Sequence, residues 1–187
     1  MDMDDHLLCE HWLALSRNVD VRRQITAIHD EVADRINDRG PVCTASGRCC
    51  NFERYGHRLY VTGLETAMTL DAIPVVRAIK AGDIELAQQA GTCPFVVSRL
   101  CGVHPVRPVG CRVYFCDPSA KIWVNELAEF AADAVKRVHD DFGIEYRYTE
   151  WRALLAMFQG AGVATLPTEP VVFMPSDPFV RLTSDRA

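Results

Sequence analysis

The cysteine pattern constrains this chain more than any other feature of the sequence. The 187 residues include 8 cysteines, and all but Cys9 lie between Cys43 and Cys116. They form a first block, Cys43, Cys49 and Cys50, and a second block, Cys93, Cys101, Cys111 and Cys116. The gaps between successive cysteines lack the three- or four-residue spacing of a helix face, so we expect both blocks to lie in loops, where side chains from distant positions can converge. Cys9 falls within an apolar helical pattern and is expected to be a small buried hydrophobe.

Charge and hydropathy limit the partners and the compartment. The formal net charge is −5, without the concentrated basic face of a nucleic-acid-binding protein. No apolar run approaches the roughly 20 residues of a membrane span, and the acidic start "MDMDDHLLCE" is unlike a secretory signal. We therefore expect a cytoplasmic protein with an unidentified protein or small-molecule partner. In a reducing compartment, clustered cysteines more often bind metal or do redox chemistry than form structural disulfides.

The hydrophobic periodicity predicts a mainly α fold, in which a helical scaffold carries two cysteine-rich loops that converge on a metal site and few short strands. Helices are expected over residues 5–38 with a break near 18–20, then over 62–70, 74–82, 83–90, 122–139 and 149–159. The chain is divided into an N-terminal helical segment (1–40), a cysteine-cluster domain (41–160) and an extended proline-rich tail (161–187).

Local signals around the cysteines refine this scheme. Thr62 and Glu65 stand three apart before an apolar run, which is the capping-box pattern at a helix start. Short strands are predicted at "RLYVT", "FVVSRL" and "CRVYF".

Three interpretations of the thiols compete: a metal or metal cluster, disulfides, or one catalytic cysteine with His57 or His104 as its base. We favour metal, because a single nucleophile leaves most of the cysteines unexplained and the compartment disfavours disulfides. The segment from Cys93 to Cys116 contains arginines at 99, 107 and 112 and no Asp or Glu. Guanidinium groups there offset thiolate charge and lower thiol pKa values.

A set of thiolates suits tetrahedral zinc or an iron–sulfur cluster, with mononuclear iron as a further alternative. Adjacent cysteines are awkward ligands for one tetrahedral ion, because neighbouring side chains in extended backbone diverge. This argument, and the number of thiols, favour an iron–sulfur cluster of the 4Fe–4S kind over zinc.

The segments "CTASGRCC", "GTCPFV" and "CGVHPVRPVGCRVYFC" resemble the YkgJ-type cysteine-cluster family of zinc- or iron-chelating proteins with a CxxCxxCC signature. The resemblance spans about residues 43–118, and Ser46 stands where the family has its second cysteine. Carried over position by position, it implies metal ligands at Cys43, Cys49, Cys50, Cys93, Cys101, Cys111 and Cys116. Tyr114 is expected beside the site or in the core, and Arg107 and Arg112 are expected to face the cofactor.

These expectations leave two classes of function open. In the first, the protein holds an iron–sulfur cluster and has a redox or group-transfer role. In the second, it is a non-catalytic zinc-binding module or metal carrier. Whether Ser46 or His104 takes part in the site is left open.

Overall fold

The computed structural model describes residues 3–72 and 83–162. Its helices are α1 (Met3–Ser16), α2 (Val19–Arg39), α3 (Gly63–Ala72), α4 (Asp83–Gln89), α5 (Val109–Arg112), α6 (Lys121–Asp141) and α7 (Trp151–Gly160). The short strands are β1 (Tyr60–Thr62), β2 (Val96–Val97), β3 (Leu100–Cys101) and β4 (Tyr148–Glu150). The mainly α prediction is confirmed. The predicted helix at 74–82 and the tail from 163 onward lie outside the described residues.

The N-terminal helical pattern resolves into two helices at the predicted break. Asn18 caps α2, since its Oδ1 accepts hydrogen bonds from the backbone N–H groups of Asp20 (2.9 Å) and Val21 (3.2 Å). Gly40 ends the helix in a left-handed conformation, and its N–H donates to the carbonyl of Ile36. The break lets α1 turn away from α2.

The core forms where α1 packs against α3 and α7. Trp12 of α1 is fully buried and stacks on Phe158 of α7 with ring centroids 6.0 Å apart. Gly63 begins α3 directly against the Trp12 ring, so that a side chain at this position would overlap the indole. Cys9 is also fully buried, as predicted for a small core residue.

Strand β1 pairs with β4 in antiparallel register, with Tyr60 opposite Glu150. Strand β4 was not predicted, because its pairing partner lies far away in the chain. Strands β2 and β3 form a hairpin whose turn residues, Ser98 and Arg99, both have positive φ values of 49° and 69°.

The strand predicted at "CRVYF" is wrong. Cys111 and Arg112 belong to α5, a single helical turn that follows Pro108. The Cys111 N–H donates to the carbonyl of Pro108 at 3.0 Å, and the Val113 N–H to that of Val109 at 3.2 Å. The backbone is therefore satisfied within the turn, without a partner strand.

The long helix α6 packs on α2, where the Arg35 guanidinium lies 3.6 Å from the centroid of the Phe130 ring. None of the helices within the described ranges combines the length and the apolar character that crossing a bilayer requires.

Candidate metal centre

The first loop, residues 43–58, brings its adjacent cysteines together. Gly47 has φ +72° and leads into a 3-10 turn, Arg48–Cys50, that the Asn51 side chain fastens by donating to the Gly47 carbonyl at 2.7 Å. The Sγ atoms of Cys49 and Cys50 are 3.9 Å apart. The expectation that these two side chains diverge is wrong, because the backbone is a tight turn here and not an extended strand.

The second loop, residues 92–118, meets the first at Cys50. The Cys93 N–H donates to the Cys50 carbonyl at 2.8 Å, and the thiols of both residues are buried. Interactions with Cys101, Cys49 and Cys93 raise the pKa of the Cys50 thiol. One buried thiol is therefore influenced by cysteines of both loops.

Cys111 approaches the same place from α5. Burial raises the pKa of its thiol, and the charges of Cys101, Cys93 and Cys49 raise it further. We call Cys49, Cys50, Cys93, Cys101 and Cys111 the thiol cluster.

Protons are unevenly distributed within the thiol cluster. A hydrogen bond from Cys50 lowers the pKa of Cys49 to about 6, so that Cys49 is a thiolate at neutral pH. The same donor lowers the pKa of Cys101. Hydrogen bonds to Cys101, Cys49 and Cys93, in that order, raise the pKa of Cys50. Cys50 therefore stays protonated beside the Cys49 thiolate.

Cys116 lies beside Ser46, which stands at the position where the resemblance predicts a further cysteine. The Ser46 Oγ and the Cys116 Sγ are 3.9 Å apart. Tyr114 lies near both Cys116 and the thiol cluster. Burial raises the pKa of Tyr114 first, and the charges of Cys116 and Cys49 raise it further. Its ring stacks on His57 at a centroid distance of 4.4 Å. Tyr114 therefore lies beside the thiols, half-buried, and outside the apolar core.

Cys43 stands apart from the other six expected ligands. Its side chain is exposed, and within the described ranges no hydrogen bond connects it to another cysteine. Cys9 is in the core, where burial raises its pKa to about 11.

The arginines of the second loop have different roles. Arg107 faces the thiol cluster, since its charge lowers the pKa values of Cys49, Cys101 and Cys111. Its Nε is buried and finds no hydrogen-bond partner in the part of the chain that the structure describes. Arg99 lies exposed at the hairpin turn.

Arg112 braces the loop backbone. Its Nε donates to the Arg107 carbonyl at 3.0 Å and its Nη2 to the Pro105 carbonyl at 2.9 Å. Burial, followed by the nearby charge of Arg107, lowers the pKa of Arg112 to about 10.

Glu65 positions α5, a role that the sequence did not reveal. It forms the predicted capping box, in which the Glu65 N–H donates to the Thr62 Oγ1 (3.2 Å) and the Thr62 N–H donates to the Glu65 Oε2 (3.1 Å). Its other oxygen, Oε1, accepts from the Val109 N–H at 2.9 Å. The side chain is only 3% exposed. In the sequence, the capping-box pattern predicted the helix start at Glu65, but it contained no information about the contact of Glu65 with α5.

The donor set suits a soft metal, although the sulfur atoms are not arranged around a common point. Within residues 3–72 and 83–162, no group of three or more His, Cys, Asp or Glu is placed so that it could hold a metal ion. The Sγ atoms of Cys49 and Cys50 instead form an S–H···S contact at 3.9 Å. A metal would require the thiols to lose protons and move. The buried Nε of Arg107 stays unpartnered among the described residues beside this sulfur-rich region.

Comparisons with protein-family models, with curated proteins and with solved structures found no match to this chain. The resemblance of residues 43–118 to the YkgJ-type family therefore stays a prediction.

Proposed function

We propose that this protein holds an iron–sulfur cluster through its clustered cysteines and has a redox or group-transfer role. The observation that carries the proposal is that cysteines of two loops lie close together beside Arg107, whose Nε is buried and unpartnered among the described residues. The proposed compartment is the cytoplasm, where thiols stay reduced.

The electrostatics of the thiol cluster support a cation in this position. Cys49 is a thiolate at neutral pH, and the charges of neighbouring cysteines raise the pKa of Cys111. Thiolates that crowd together repel one another, and a metal relieves this repulsion by binding the deprotonated form. Metal binding would therefore compete with the protons that Cys50 now holds.

The ligands would be drawn from the thiol cluster, with Cys116, which lies near Tyr114 and Ser46, as a further thiol. Arg107 would direct its unpartnered Nε at sulfur, which offsets the negative charge and tunes the reduction potential. A bound cluster would supply one-electron transfer or an iron open to a substrate. Glu65 and Arg112 would hold α5 and its loop in place.

Zinc is the second candidate, and the spacing of the adjacent cysteines favours it. Sulfur atoms around a tetrahedral zinc with Zn–S bonds of 2.3 Å are about 3.8 Å apart, and those of Cys49 and Cys50 are 3.9 Å apart. An iron–sulfur cluster, in which each thiolate binds a different iron, needs its ligands further apart. The count of nearby thiols, which exceeds the four that one zinc takes, favours the cluster.

Anaerobic purification followed by iron, sulfide and zinc analysis tests the proposal. A cluster predicts brown protein with iron and acid-labile sulfide in equal amounts, and with visible absorption that fades in air. Colourless protein that contains zinc and no sulfide would show that the site binds zinc and would refute the cluster. Folded protein that takes up neither metal would refute both.

Matched cysteine variants locate the site. Cys111→Ser should lose most of the bound metal and unfold at lower denaturant, because metal-binding energy is folding energy in such sites. Cys9→Ser removes a thiol from the core and should leave the metal content unchanged. Equal metal loss in both variants would contradict the assignment.

A further inference from the structure

A cavity lies on the side of α5 that faces α2 and α3. Its volume is about 270 Å³, and its apolar wall includes Ile25, Met68 and Val106. At roughly 30 Å³ for each water molecule, this space equals about nine waters. The cavity therefore suits a small organic molecule and is too small for a nucleotide.

The polar part of the lining has a buried atom without a partner. His29 and Asp30 of α2 line the cavity together with Arg112 of α5. The His29 Nε2 is buried and has no hydrogen-bond partner among the residues that the structure describes. An unpaired buried nitrogen costs free energy, and a ligand that bonds to it recovers this cost.

Cationic charge surrounds this nitrogen. Burial, followed by the charges of Arg112 and Arg107, lowers the pKa of His29 to about 3, so the imidazole is neutral at physiological pH. Of the nearby acids, Glu65 already accepts hydrogen bonds on both carboxylate oxygens. Asp30 is exposed and is the remaining acid among the lining residues.

Part of the Arg112 guanidinium is available to a ligand. Its Nε and Nη2 donate to loop carbonyls, and no hydrogen bond of its Nη1 is formed within the described ranges. A neutral imidazole that donates from Nε2 and a guanidinium both bind a carboxylate well.

We propose that this cavity binds a small organic acid, with its carboxylate held by His29 and Arg112 and its short aliphatic body against Ile25, Met68 and Val106. The apolar wall favours such an acid over an inorganic anion, which has no hydrocarbon to bury. The inference does not rest on the metal, because binding can be measured whatever the protein holds in the thiol cluster.

Isothermal titration of the full-length protein with butyrate tests this inference, and butylammonium and inorganic phosphate serve as separate arms. We expect one butyrate to bind per chain. Butylammonium, which has the same body and the opposite charge, should not bind, and phosphate should bind more weakly than butyrate. Binding of phosphate without binding of butyrate would overturn the assignment of an organic acid.

Two variants and one control locate the binding to the cavity. His29→Leu should weaken butyrate binding about tenfold or more, because the unpartnered nitrogen is lost. Ala72→Phe should fill the cavity and abolish binding with both polar groups retained. His11→Leu, an exposed position on α1 outside the lining, should bind butyrate as the wild type does. Far-UV circular dichroism and metal content are measured for each variant. Butyrate binding that neither His29→Leu nor Ala72→Phe changes would refute the proposal.

Discussion

Gly47→Ala tests the contact that joins the two cysteine loops. Gly47 has φ +72°, and a Cβ built there would lie 2.7 Å from the carbonyl oxygen of Arg99 and 3.2 Å from its Cβ. Gly47 precedes Cys49 by two residues, and Arg99 precedes Cys101 by two. A side chain at position 47 would therefore push the two halves of the thiol cluster apart.

The size of the effect follows from two terms. A left-handed conformation costs an L-residue about 1–2 kcal/mol, and overpacking against rigid backbone costs about 1–3 kcal/mol more. Ordinary contact begins at 3.4 Å, so the loops must separate by 0.7 Å, the difference between 3.4 and 2.7 Å. We expect Gly47→Ala to lower the free energy of unfolding by about 2–5 kcal/mol and to weaken metal binding.

Gly56→Ala is the matched control. Gly56 lies in the same loop with φ +66°, and a Cβ there would have nothing within 4 Å. Gly56→Ala should lower the free energy of unfolding only by the conformational cost of about 1–2 kcal/mol and should bind metal as the wild type does. Urea unfolding followed by tryptophan fluorescence, together with metal competition by a chelator, compares the two variants. Equal losses in both variants, with equal metal binding, would refute the conclusion that this contact holds the loops together.

The remaining predictions concern Glu65, the ion pairs of Arg152 and the Cys49 thiolate. Glu65→Leu leaves two buried N–H groups without an acceptor at roughly 1–3 kcal/mol each and should lower the free energy of unfolding in urea by about 2–6 kcal/mol. The control Glu129→Leu, on the exposed face of α6, should change this free energy by less than about 0.5 kcal/mol. Similar losses in both variants would contradict the role of Glu65 in holding α5. Arg152, only 4% exposed, pairs with Glu150 and with Glu53, which is 47% exposed, so its replacement by Met should cost about 1.5–3 kcal/mol, and a loss below about 1 kcal/mol would argue against a stabilising pair. In metal-free protein, iodoacetamide should alkylate Cys49 with a half-maximal rate near pH 6 and should leave Cys9 unmodified at neutral pH. The reason is that the pKa values of these thiols are about 6 and about 11. If mass spectrometry finds Cys9 modified first, this order of reactivity is refuted.

Local signals in the sequence predicted most of the helices correctly. The break at Asn18 and the capping box at Thr62 and Glu65 depend on neighbouring residues, and both appear in the structure. The failures involve distant partners. Strand β4 exists because it pairs with β1, and "CRVYF" alternates like a strand but finds no strand to pair with.

The sequence by itself determined the chemistry of this protein: thiols in two loop-forming blocks, with arginines among them and no acid between Cys93 and Cys116. Only the tertiary structure decided which thiols meet. It brings Cys111 inward through a turn that Glu65 holds, and it leaves Cys43 exposed at the surface. The physical reason is that residue type and spacing are local properties, whereas the meeting of two loops depends on long-range contacts such as that of Gly47 with Arg99.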